Sequence, residues 1–221
     1  MGNPIIFQQQ IIRSVEENIK KLLNSCEDFN NARIVKSPRS VGDTVQGILE
    51  EELDSCFPSD AIREFKGNFT RRAMADVAFV DLDGNYYVVD IKTHNKSTDF
   101  NMPNLTSVKR LADFYRDNKN YFVILLVEYQ TNGSNIVFDN VRLFPIEHMK
   151  WDCLNIGALG WGQIQIANAN IVNIDDSQSR QEWMTALCRT MADFYDNEIS
   201  KIDNRRDYFE EQAGYWNNKT N

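Results

Sequence analysis

The stretch ADVAFVDLDGNYYVVDIKTHN, residues 75–95, decides how this chain is read. Residues 75–80 are a strand candidate, and Asp83-Gly84 carries the residue types of a tight hairpin turn. Residues 86–92 form the returning strand. Side chains two apart on a strand share a face, so Asp90 and Lys92 point the same way. Asp76 lies across the hairpin, where its carboxylate can approach that of Asp90. Val88, Val89 and Ile91 surround these charges, so the strand is apolar on at least one face and is expected to be central. Charge on a central strand needs a reason. Two carboxylates converging without a histidine or thiol make a hard-oxygen site suited to Mg²⁺, which keeps several waters for a phosphate substrate. A metal there would activate water and neutralise charge at a reacting phosphate. Lys92 would add a cation beside it, orienting or deprotonating the attacking water. The competing reading is a surface hairpin with a cross-strand ion pair, worth about 0–1 kcal/mol.

Working outward, residues 5–24 read as an amphipathic helix, with Ile11, Ile12, Val15, Ile19, Leu22 and Leu23 at helical spacing. Residues 26–39 read as a polar loop. A second helix is expected from Ser40, where Ser40 and Asp43 have capping-box spacing and Val41, Val45, Ile48, Leu49 and Leu53 form one apolar stripe. A polar loop, 93–104, follows the hairpin. Asn104 is expected to cap a helix carrying Val108, Leu111, Ala112 and Tyr115. Residues 121–128 read as a buried strand, and a further strand runs around 136–144. A Gly-rich stretch, 157–162, precedes the alternating run from Gln163 to Ile166. A long helix is expected over 179–205, with the polar residues 206–221 fraying. The order predicts one mixed α/β domain over 1–221, with helices flanking a central sheet.

The composition excludes several classes. The longest apolar run, 121–127, is too short to span a bilayer. The opening residues lack the features of a signal peptide, so a cytoplasmic location is expected. Four scattered cysteines without a C-x-x-C pair, and only two histidines, argue against zinc and for reduced thiols. The net charge of −8 argues against a protein that merely coats DNA. It leaves room for an enzyme whose basic groups line one cleft.

Residues 75–95 resemble the PD-(D/E)xK nucleases, in which a hairpin supplies the first Asp and the next strand the D/E-x-K. Ala75 stands where the name motif has Pro. A helix ahead of that hairpin usually completes the site with Glu or Gln. Gln46 is the positional match on the helix from Ser40, with Asp43 in reserve. Within that superfamily the chain is similar to the blunt-cutting HincII, EcoRV and SwaI group of type II restriction endonucleases. Asp90-Ile-Lys92-Thr93 followed by a polar loop, Met102-Pro103-Asn104, and Gly162 to Ile166 ahead of a Ser179-Arg-Gln-Glu-Trp183 helix start carry the likeness.

The resemblance implies a restriction-endonuclease-like central mixed β-sheet flanked by helices. It implies Mg²⁺-dependent cutting of double-stranded DNA that leaves blunt ends with 5′-phosphates. Residues 40–145 would be the catalytic core and 149–172 the DNA-reading region. Asn101 and Asn104 become minor-groove candidates, and Asn155, Gly160, Trp161, Gly162 and Gln163 major-groove candidates. Asn and Gln offer both a donor and an acceptor to base edges, and glycines let the backbone come close. A flexible turn at 157–162 and a packing role for Trp161 are the competing readings. Arg71, Arg72 and His94 are candidates for phosphate or sugar contacts. Two antiparallel DNA strands and one site per subunit imply a homodimer on a palindrome, and the 5–24 helix is the expected interface. A structure-specific repair nuclease, or a non-catalytic DNA-binding protein of the same fold, stays open.

Overall fold

The computed structural model describes residues 3–30, 37–67, 74–98, 102–132 and 135–219. Arg71, Arg72 and Asn101 lie outside the described residues. A short turn, Ile5–Phe7, leads into α1 (Gln9–Ser25), followed by α2 (Pro38–Glu52). The strands β1 (Ile62–Lys66), β2 (Val77–Asp81) and β3 (Tyr86–Asn95) come next. The chain then forms β4 (Asn104–Ser107), α3 (Val108–Phe114), β5 (Asn120–Asn132) and β6 (Asn135–Pro145). Two short strands, β7 (Leu154–Gly157) and β8 (Gln163–Ile166), precede the long helix α4 (Arg180–Asn217).

Five strands make a mixed sheet in the order β1-β2-β3-β5-β6. β3 and β5 run parallel; the other neighbours are antiparallel. The hairpin read from Asp83-Gly84 is therefore present, and β3 is a central strand. β5 is apolar through 121–127 and buried along that length, as a strand covered on both faces must be. Tyr87, Val89, Ile91, Val123 and Leu125 belong to the core shared with α1 and α2. Val88, Ile124 and Leu126 belong to the core on the opposite face, shared with α3, the start of α4 and a small antiparallel sheet, β4-β8-β7. The architecture is mixed α/β, with helices on both faces of the main sheet.

Four expectations need correction. First, the apolar stripe of α1 does not face outward. Ile12, Val15, Ile19 and Leu23 are buried in the first core, and α1 is clamped to β6. Glu16 accepts from the Leu143 amide at 2.8 Å, and Asn24 exchanges two hydrogen bonds with the Phe138 backbone. A stripe spent on the molecule's own sheet gives no reason to expect a dimer interface there. Second, α2 starts at Pro38. Its cap is Ser37, whose hydroxyl accepts from the Ser40 amide, and Pro38 fits the first turn because its missing N–H would be unpaired anyway. Third, Asn104 caps no helix. It lies on β4 beside β8, and α3 begins after Ser107. Fourth, α4 runs on to Asn217, from a reciprocal Ser179–Glu182 capping box. The polar composition of 206–217 marks a solvated helix, not a frayed end.

Candidate active site

The geometry around residues 76–92 starts from the way β2 leaves β3. Their ladder ends at the Val77–Val89 pair. One residue earlier, the Asp76 amide still donates to the Val89 carbonyl at 3.0 Å. The Asp76 side chain then takes over from the backbone, its Oδ2 accepting from the Ile91 amide at 2.7 Å. Its other oxygen, Oδ1, accepts from Gln46 Nε2 at 3.1 Å. Both oxygens are thus fixed in direction by neighbours on two different elements.

Gln46 reaches the hairpin because α2 lies close along β3. A Cβ on Gly42 would sit 2.9 Å from Thr93 Oγ1, so a larger residue there would force the Thr93 side chain or the helix to shift. Gly42, Gln46 and Glu50 are four residues apart and share one helix face. Gln46 Nε2 also donates to Glu50 Oε1 at 2.7 Å, which brings a third carboxylate to the edge of the cluster. Glu50 was not foreseen; its spacing from Gln46 is the signal that could have found it.

Asp90 is 7% exposed. Lys92 Nζ donates to Asp90 Oδ1 at 2.7 Å, as expected for neighbours on one face of a strand. Asp90 Oδ2 is buried and has no hydrogen-bond partner among the described residues. Burial pushes this carboxyl up to about 7; the Lys92 ammonium opposes the rise and the Asp76 carboxylate adds to it. A buried carboxylate oxygen without a partner is costly, and a proton, a water or a cation would relieve it.

Asp76 and Asp90 open into a cleft of about 150 Å³, also lined by Thr106, Ser107, Arg110 and Gln163. The small sheet supplies this wall. Ser107 pairs with Gln163 in register, and the Val108 amide donates to the Gly162 carbonyl at 3.0 Å. Gln163, expected in a base-reading loop, therefore stands at the mouth of the cleft that holds the carboxylates. Thr106, Ser107 and Arg110 were also unforeseen. They approach the hairpin only through the tertiary fold, and no sequence spacing announces them.

The other candidates are scattered. His94 is 1% exposed and pairs through Nε2 with Asn170 Oδ1 at 2.8 Å, which withdraws it from contact with DNA phosphate. Gly162 is buried at φ +93°, and a Cβ there would press on Met191, Ile156 and Val108. Its role is packing, not close approach to a base. Gly160, at φ +58°, is exposed at the tip of the β7–β8 turn with open space around it. Trp161 beside it is 63% exposed, so it is not the packing residue that the competing reading made it. Asn155 is exposed on β7. Asn104 is exposed too, and its Oδ1 accepts from Gln165 Nε2 at 2.6 Å.

The described residues contain no cluster of three or more His, Cys, Asp or Glu side chains arranged to hold a metal. Asp76 and Asp90 nevertheless suit one cation, because two hard oxygens and a bare Oδ2 match an ion that retains most of its water. No helix among the described residues is long and apolar enough to cross a membrane. No family model matches the chain, and no curated protein matches it.

Proposed function

We propose that this chain is a Mg²⁺-dependent nuclease with a restriction-endonuclease-like fold, acting as a homodimeric type II restriction endonuclease on double-stranded DNA. The observation that carries the reading is the meeting of Asp76 and Asp90 at one cleft, with Lys92 bonded to Asp90 and Gln46 fixing Asp76 from the preceding helix. An ordinary surface ion pair does not leave a buried carboxylate oxygen bare beside a second carboxylate.

Asp76 and Asp90 would hold the ion. When bound, Mg²⁺ would activate a water and neutralise charge on the phosphate. Lys92 keeps its ammonium against Asp90 and gives a scissile phosphate a positive partner as it enters. Gln46 and the Ile91 amide prevent Asp76 from turning away, which preorganises the carboxylate. Arg110, on the cleft wall, supplies positive charge towards the DNA backbone. Gln163 and the exposed tip at Gly160 and Trp161 extend from the same wall and are the groups offered to base edges.

Digestion of unmethylated plasmid and phage DNA tests this. Discrete fragments with blunt, 5′-phosphorylated ends in Mg²⁺, and none in EDTA, are expected. Nicking without sequence preference would leave a PD-(D/E)xK nuclease but remove the restriction reading. No Mg²⁺-dependent hydrolysis of any duplex would remove both.

A further inference from the structure

Helix α4 spans 38 residues, roughly 57 Å at 1.5 Å per residue. Its anchor is short. Trp183, Leu187 and Met191 are its buried residues, and the Tyr195 hydroxyl donates to the Trp161 carbonyl at 3.1 Å. From Asp196 to Asn217 no residue is buried. That arm is nevertheless not uniformly polar. Ile199, Ile202, Arg206, Phe209, Ala213 and Trp216 follow one another at spacings of three and four, a heptad seam over three repeats. Ile199 and Ile202 are each 58% exposed, Phe209 69% and Trp216 60%. An isolated helix of this length in water needs something against its apolar seam.

We infer that the α4 arm is a dimerisation element that pairs with the same arm of a second copy as a two-stranded antiparallel coiled coil. The residue order selects both the occupant and the orientation. Parallel arms in register would set Arg206 against Arg206 of the other copy. Antiparallel arms can instead be placed so that Ile199 faces the other copy's Trp216, Ile202 faces its Ala213, and Arg206 faces its Phe209. Each contact then occurs twice about a two-fold axis, which is the self-complementarity a closed dimer requires. The central Arg206 guanidinium would lie against an aromatic ring, a favourable arrangement for that cation. It already lies 3.4 Å from Asp203 and 3.8 Å from Glu210, so it offsets the carboxylates that flank the seam. The four large apolar side chains expose on the order of 400 Å² per copy. The stems of flanking charged residues extend this towards the roughly 800 Å² per partner of a stable interface. The inference does not depend on nuclease activity, and it moves the dimer contact away from α1, whose apolar face is spent.

The test uses the full chain without DNA or metal. Sedimentation equilibrium is expected to give twice the chain mass for the wild type. Ile202→Asp/Phe209→Asp is expected to give a single chain mass with a cooperative thermal transition retained, since both side chains lie outside the two cores. A wild-type monomer at tens of micromolar, or a double variant that stays dimeric, overturns the inference. Orientation is read by oxidising Ile199→Cys and Trp216→Cys proteins in a Cys188→Ser background. Antiparallel arms cross-link only when the two are mixed; cross-linking of either protein with itself overturns the antiparallel pairing. A wild-type monomer would also remove the homodimer from the proposed function but would leave DNA cleavage untouched, and failure of cleavage leaves the α4 pairing standing.

Discussion

Two buried aspartates on one hairpin differ in what surrounds them. Asp81, at the end of β2, has every need met. It accepts from the Asn85 amide at 2.9 Å, the Asn85 side chain at 2.8 Å and the Tyr87 hydroxyl at 2.7 Å. Burial alone would raise its pKa, but these donors outweigh burial and hold the carboxyl below the usual range. Asp90, on β3, is as little exposed but more deeply surrounded by protein, with one lysine on one oxygen and nothing among the described residues on the other. The first carboxylate is built into the structure; through Tyr87, whose hydroxyl accepts from the Ile5 amide, it also ties down the N-terminal turn. The second is held in readiness at a cleft. Low exposure therefore does not tell the two apart. An unmet oxygen beside another acid does, and the proposed metal site rests on it.

The largest expected effect separates them by activity. Asp90→Asn removes cleavage by at least about a thousandfold, on the scale of losing a group that acts directly on charge at the reaction centre. Asp81→Asn leaves cleavage per folded molecule unchanged. Plasmid digestion normalised to folded protein reads both, and equal losses in the two variants would erase the distinction.

Stability should invert the ranking. Asp81→Ala leaves the Tyr87 hydroxyl and Asn85 donors without their acceptor, at a cost of about 2–3 kcal/mol. Asp90→Asn removes a charge that is poorly compensated in its buried setting. At about pH 8 in EDTA, where that carboxyl would be ionised, the variant is expected to melt higher than the wild type.

The two also titrate with opposite sign. The folded-state pKa of Asp90 lies above its unfolded value, so the folded protein binds that proton more tightly. Its contribution to stability therefore falls as pH rises from about 4 to about 7. The folded-state pKa of Asp81 is depressed, so its contribution is present above about pH 4 and is lost as pH falls through the folded value. Urea denaturation across this range, in metal-free buffer, should flatten the first slope in Asp90→Asn and the second in Asp81→Asn.

A smaller effect probes how the Asp90 cleft is held open to one side. Gly42→Ala improves helix propensity by up to about 1 kcal/mol but pushes α2 away from Thr93. Displacing Gln46 from Asp76 is expected to lower cleavage about tenfold without loss of stability. Thr93→Ala in the same chain removes the clash and should restore activity; no rescue would mean that α2 position is not what Gly42 controls.

The smallest effect concerns choice of sequence. Gln163→Ala should lower discrimination between cognate and single-mismatch sites by about 1–3 kcal/mol, the scale of one good base contact. Asn104→Ala, whose side chain is bonded to Gln165, should change that ratio less. An unchanged ratio for Gln163→Ala would take the cleft wall out of base reading.

Much of this molecule is determined locally. The β2–β3 hairpin, the shared face of Asp90 and Lys92 and the two-sided burial of β5 follow from residue period and turn chemistry, which act over a few residues. Gln46 was legible because a helix fixes which residues share a face. Tertiary structure alone decided the rest. It spent the α1 stripe on β6 and carried α4 past its expected end as an arm whose seam meets nothing among the described residues. A helix's apolar face records that it needs a partner, not which one. It buried His94 against Asn170 and drew Gln163 to the carboxylate cleft by pairing the short strand β8 with the distant β4. It also left one oxygen of Asp90 bare and satisfied every oxygen of Asp81. Hydrogen-bond satisfaction in a core depends on which distant groups arrive there, and no local period records that.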